Sequence, residues 1–147
     1  MKIFTIGFTK KNAETFFKLL RESGVTRLID IRINPNGQLS GFAKKDDLPY
    51  FLSELANGCE YIHLPELAPT KEILKEYRAG AEWEEYEVRF EALMDERQIP
   101  ESLHREAFED SVSCLLCSED TPDRCHRRLV AERLAKYWPN VEIVHLT

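Results

Sequence analysis

The sequence has no apolar run long enough to act as a leader or to cross a bilayer. Met1-Lys2-Ile3-Phe4-Thr5-Ile6 gives way at once to Gly7 and then to Lys10-Lys11-Asn12. The expectation is a soluble, cytoplasmic protein with no membrane partner. Cysteine is scarce, with four residues, Cys59, Cys114, Cys117 and Cys125. Without a secretory signal these are expected as thiols rather than as two disulfides, so each is a core residue, a ligand or a nucleophile. Positive charge is in the minority: 20 Lys and Arg stand against 26 Asp and Glu, a formal charge of −6. That balance excludes a generic nucleic-acid coat, which needs a basic face for phosphates. Repeats, low-complexity segments and long linkers are also absent, so the seven prolines and six glycines punctuate elements rather than domains.

What is present suits one domain over residues 1–147, because 43% hydrophobic residues fill one core at this length. Ile3 to Phe8 reads as a strand and Asn12 to Glu22 as a helix with Phe16, Phe17, Leu19 and Leu20 at helical spacing. Val25 to Ile31 reads as a second strand, and Gly24 as the stop between the two elements. A loop over Asn34 to Gly41 precedes a helix over Asp47 to Ala56 and a strand over Tyr61 to Leu64. Glu72 to Arg97 reads as a charged helix with a break near Gly80, and a short helix follows Pro100. Val112 to Cys117 is a continuous apolar run of the kind covered on both faces. Asp123 is the expected cap of a helix running to about Tyr137, and Val141 to Leu146 is the last strand. The fold class is therefore α/β: a three-layer domain with a mostly parallel central sheet of about five strands and helices on both faces.

In such sheets ligands bind outside the carboxyl ends of the strands. Those ends carry Asp30-Ile31-Arg32, His63-Leu64-Pro65-Glu66 and Cys117-Ser118-Glu119. The densest constellation joins Cys117 and Glu119 to Cys125-His126-Arg127 at a helix start. Backbone N–H groups there lower a thiol's pKa and attract anions. By helical spacing Arg127 lies on the sheet-facing stripe, where its fork suits a phosphate or carboxylate, whereas Arg124 and Arg128 point more toward water. The competing structural account makes Cys117 a core thiol, Cys125 a packing residue and Arg127 a partner of Asp30 or Glu119. Zinc is a rival, since Cys114, Cys117, Cys125 and His126 are ligand types it prefers. Strand alternation puts Cys114 and Cys117 on opposite faces, and adjacent Cys125 and His126 do not easily address one ion, so no metal site and no cofactor is expected. Tyr50, Phe51, Trp83 and Tyr86 offer stacking surfaces but read as core, and Cys59 and His104 read as structural.

Thr5-Ile6-Gly7, Leu28-Ile29-Asp30-Ile31-Arg32 with Pro35, Tyr61-Ile62-His63-Leu64-Pro65-Glu66-Leu67, Leu115-Leu116-Cys117-Ser118-Glu119, Cys125-His126-Arg127 and Ala131-Glu132 together resemble the domain-of-unknown-function family numbered 488. The resemblance runs in order over nearly the whole chain. It implies a small prokaryotic cytosolic protein with no established reaction. Phe8 stands where such proteins usually have His after the first-strand Gly, and Ala68 where a Gly often follows Pro-Glu-Leu. By position the resemblance marks Asp30, Arg32, His63, Glu66, Cys117, Glu119, Cys125, His126 and Arg127; of these, Asp30, Arg32, His63, Glu66 and Arg127 are expected to bind the ligand and Cys117, Glu119, Cys125 and His126 to be catalytic. The leading functional expectation is an enzyme or former enzyme for a small anionic ligand, a nucleotide or nucleic-acid end, with Arg32 and Arg127 clamping and Cys117 or Cys125 reacting. The alternatives are a non-catalytic ligand- or partner-binding module and a metal- or redox-responsive thiol protein.

Overall fold

In the computed structural model, which describes residues 1–147, strands and helices alternate along the chain. The strands are β1 (Lys2–Gly7), β2 (Arg27–Asp30), β3 (Glu60–His63), β4 (Ser113–Cys117) and β5 (Glu142–Leu146). The helices are α1 (Ala13–Ser23), α2 (Leu48–Leu55), α3 (Lys71–Arg78), α4 (Trp83–Glu96), α5 (Arg105–Glu109) and α6 (His126–Tyr137). The sheet is wholly parallel, in the order β3-β2-β4-β1-β5. The α/β class and the count of five strands are as the sequence predicts. No helix is long and apolar enough to cross a membrane.

Alternation of side chains along the buried strands divides the core in two. Phe4, Ile6, Leu28, Cys114 and Leu116 meet α1 and α2 on one face. Ile3, Ile29, Leu115 and Cys117 meet the α4 and α6 side on the other. Cys114 and Cys117 therefore face opposite cores, as a three-residue separation on a strand requires.

Local signals set the helix limits. The Asn12 side chain accepts from the Thr15 N–H at 2.8 Å, and Gly24, at φ 77°, closes α1 in the left-handed region that favours glycine. The charged stretch from Glu72 is two helices rather than one. Thr70 caps α3, while the N–H groups of Gly80 and Ala81 fold back onto the carbonyls of Tyr77 and Glu76. Restarting the helix at Trp83 turns Trp83, Tyr86, Phe90 and Met94 into the core as one stripe.

One expected cap is corrected. α6 begins at His126 with extended Cys125 as its N-cap, and Asp123 lies outside it, exposed. The cause is a turn ahead of the helix, in which the Cys125 N–H donates to the Pro122 carbonyl at 3.2 Å.

The topology selects the place for a site. β2 and β4 are hydrogen-bonded neighbours. The chain after β2 leads to α2 on one face, whereas the chain after β4 leads to α6 on the other. Adjacent strands whose connections diverge open a crevice at their carboxyl ends.

Candidate functional site

That crevice is a cavity of about 350 Å³, a volume within the range of small-molecule sites. One wall is the Arg32 to Ser40 segment after β2, and the floor is Cys117, Cys125 and His126. Tyr77, Trp83 and Tyr86 form an aromatic wall opposite, with the Trp83 and Tyr86 rings stacked at 5.0 Å.

Arg32 owes its position to Asp30. The two carboxylate oxygens of Asp30, wholly buried, accept from Arg32 Nε at 2.9 Å and from its guanidinium terminus at 2.7 Å. The Arg32 backbone N–H adds a further bond at 3.1 Å, and the Tyr61 hydroxyl donates to the same carboxylate at 2.6 Å. Burial and then Asp30 itself push the Tyr61 phenol far up, so it remains a donor. His63 Nε2 donates to the Arg32 carbonyl at 2.8 Å, and the Arg32 guanidinium lies over the Phe8 ring at 5.2 Å. Asp30 and His63 thus stand behind Arg32 rather than on the cavity surface. Tyr61→Phe leaves the packing intact and removes a hydrogen bond to a charged acceptor. The expected loss is about 2 kcal/mol of stability, read as a shift of the urea midpoint at unchanged slope; an unshifted midpoint would assign the bond no net value.

The floor is built by β4 and α6. His126 Nε2 meets the Ile31 carbonyl at 2.6 Å, and a carbonyl can only accept, so Nε2 carries the proton. In the neutral ring Nδ1 is then the acceptor, and it faces Cys117 Sγ at 3.3 Å. Burial alone would raise the Cys117 thiol. Donors outweigh it, namely the Cys125 thiol, the N–H groups of Ser118 and Glu119, and the Arg127 charge, and the Cys117 pKa lies below its ordinary value. Cys125 is pushed well up by burial and by its bond to Cys117. Cys114, in the opposite core, is also raised well above its ordinary value, and Cys59 is pushed up to about 11, each chiefly by burial.

The sulfurs of Cys117 and Cys125 and a ring nitrogen of His126 lie within 4.8 Å of one another. This corrects the expectation that adjacent Cys125 and His126 address different places. Cys125 is extended, at φ −136° and ψ 139°, while His126 opens the helix, and the change of backbone direction brings both side chains to Cys117. Three donors of this kind could hold one soft cation.

Arg127 is placed otherwise than as a clamp at the cavity. Its side chain is completely buried, and it does not line the cavity. It donates to Thr5 Oγ1 at 3.2 Å, to the Glu119 carbonyl, and to the Asp120 carbonyl at 3.3 Å. The loop after β4 is thereby tied to β1. Glu119 is exposed at the cavity rim, and its carbonyl rather than its carboxylate anchors this loop. Glu66 is exposed and away from the cavity, and its carbonyl accepts from Arg97 at 2.7 Å.

Two cavity arginines are not among the expected site residues. Arg78, at the end of α3, and Arg124, just before the Cys125 cap, both line the cavity and have no acidic partner. Nothing in the sequence marks Arg78. Arg124 faces the cavity rather than water because it lies ahead of α6, where helical spacing does not set its direction; its adjacency to Cys125 is the sequence signal for this. Leu39, 96% exposed on the cavity rim, was likewise unmarked.

A family model described as "Domain of unknown function DUF488" matches residues 12–134. No curated protein and no solved structure matches the chain.

Proposed function

As the chain belongs to the DUF488 family, whose description states no activity, we propose from the site itself that the protein is a thiol-dependent enzyme for a small anionic substrate of nucleotide type. The observation that carries this reading is the chain Cys117 Sγ, His126 Nδ1, Ile31 carbonyl at the floor of the cavity. A nucleophile in reach of a base, with the base oriented by a third group, is the arrangement nucleophilic catalysis requires. Cys117 is the reacting thiol and His126 its proton partner. Arg32, fixed by Asp30, and the unpartnered Arg78 and Arg124 supply the positive rim for the anion. The aromatic wall and the cavity volume suit a ligand with a ring and a phosphate or carboxylate.

The test combines binding with chemical labelling. Nucleoside monophosphates and inorganic phosphate are titrated by calorimetry against the parent protein and Arg78→Met/Arg124→Met. The double variant is expected to bind about tenfold or more weakly, the magnitude of charge-assisted contacts in a partly dry site. In the same samples iodoacetamide is expected to modify Cys117 first, with nucleotide slowing the reaction, while Cys59 and Cys114 stay unmodified in the core away from the cavity. Binding without protection of Cys117 would favour a non-catalytic binding module. Affinity indifferent to both arginines would remove the anion reading.

A further inference from the structure

Arg127 is a fully buried cation with no carboxylate partner: it donates to the neutral oxygens of Thr5, Glu119 and Asp120 and to Cys125 Sγ at 3.7 Å. Beside it Cys117, at the end of β4, shares the cavity floor with Cys125. The Arg127 guanidinium thus faces the Cys125 sulfur, a neighbour suited to a metal-bound thiolate even though burial pushes the free thiol well up. His126 completes the set. Its outer nitrogen is held by the Ile31 carbonyl at 2.6 Å, which fixes the tautomer and turns the free Nδ1 lone pair toward Cys117. A ligating histidine characteristically gives its other N–H to such a backbone carbonyl, because that bond orients the ring and raises its basicity.

We infer that Cys117, Cys125 and His126 form a site for one thiophilic divalent cation of the zinc type, with the fourth coordination position open to the cavity, and that the bound ion caps the reacting thiol. The capping rests on the thiol reading of the site; the binding of the ion does not.

The dimensions fit. Tetrahedral zinc, with bonds of about 2.3 Å to sulfur and about 2.0–2.1 Å to nitrogen, holds two sulfurs and one nitrogen about 3.5–3.8 Å apart. Cys117 Sγ and His126 Nδ1 stand 3.3 Å apart, and all three donors lie within 4.8 Å, so side-chain rotation suffices. All three residues line the cavity, which leaves one side of the cluster accessible to water or ligand. Three protein ligands with one open position is the pattern of reactive rather than purely structural zinc sites. On binding, the two thiol protons pass to solvent, two sulfur-to-metal bonds and one nitrogen-to-metal bond form, and the two thiolates neutralise the ion. Cys114 is excluded, since it faces the core on the other side of the sheet.

The test uses the full chain freed of metal by a chelator, then titrated with zinc alone and with cobalt(II) alone. One equivalent is expected to bind, cobalt giving thiolate-to-metal charge-transfer absorption and the visible bands of a tetrahedral ion. Cys117→Ser, Cys125→Ser and His126→Ala are each expected to weaken binding at least about tenfold, and Cys114→Ser to leave it unchanged. Should any variant fail to fold, zinc protection of Cys117 and Cys125 against alkylation in the parent protein supplies the same answer. Absence of a stoichiometric ion without protection, or binding that depends on Cys114, overturns the inference. Zinc binding to a protein whose Cys117 is not protected by nucleotide would sustain the metal site and remove the thiol-enzyme reading. Nucleotide protection without zinc binding would do the reverse.

Discussion

Arg127→Met is expected to lower stability by about 3 kcal/mol and to change the affinity for anionic ligands far less than Arg124→Met does. Methionine fills much of the space of the guanidinium stem but leaves Thr5 Oγ1 and the carbonyls of Glu119 and Asp120 without their donor. Each buried acceptor stripped of its partner costs roughly 1–3 kcal/mol. Relief from desolvating the buried charge opposes this, and the two carbonyls lie near enough to the surface to recover some hydration. Bond loss wins because the same three bonds anchor the loop that carries Glu119 and Asp120 to β1. At this chain length about 3 kcal/mol corresponds to a fall in Tm of roughly 6–12 °C. Thermal unfolding and calorimetric titration on one preparation decide the matter. Unchanged Tm with lost affinity would return Arg127 to the ligand-clamping role that its motif position suggests.

Gly7→Ala strikes the same junction from the other side. A Cβ at residue 7 would lie 1.6 Å from the Glu119 carbonyl oxygen and 2.6 Å from an Arg127 guanidinium nitrogen. The first neighbour is backbone, so no side-chain rotation relieves the clash. Gly7 and Cys117 are partners across β1 and β4, and the loop after β4 folds directly over Gly7. Overpacking of a tight core typically costs about 1–3 kcal/mol, and displacement of an anchored backbone puts this site at the upper end or above. The expected result is a Tm lower by roughly 6 °C or more, with ligand and zinc binding weakened together because Cys117 and Cys125 flank the displaced loop. A variant with parental Tm would show that the loop rides over residue 7 with room to spare. The need for glycine here comes from close approach of backbone to backbone, not from a left-handed conformation.

The α/β class, the strand and helix sequence and the opposite facing of Cys114 and Cys117 were legible in the residues themselves. Period-two and period-3.6 patterns report which face of an element is buried, and that information is local. So was the gathering of Arg32, Cys117 and His126 at one edge, because the carboxyl ends of parallel strands share that edge whatever their order.

The roles within the gathering were not. Helical projection put Arg127 toward the strand ends, which is where it lies, but only the path of the loop after β4 turned its donors to Thr5 and two carbonyls instead of to a ligand. Arg78 joins the site from α3, which its sequence neighbours give no reason to place beside Cys117. The convergence of Cys125 and His126 on Cys117 depends on one extended residue before a helix, a backbone angle set by the Pro122 turn and not by residue type. Sequence by itself determined which chemistry this chain carries to the end of its sheet. Tertiary structure alone decided which of those groups face the cavity and which hold it up, because that choice turns on distances between segments far apart in the chain.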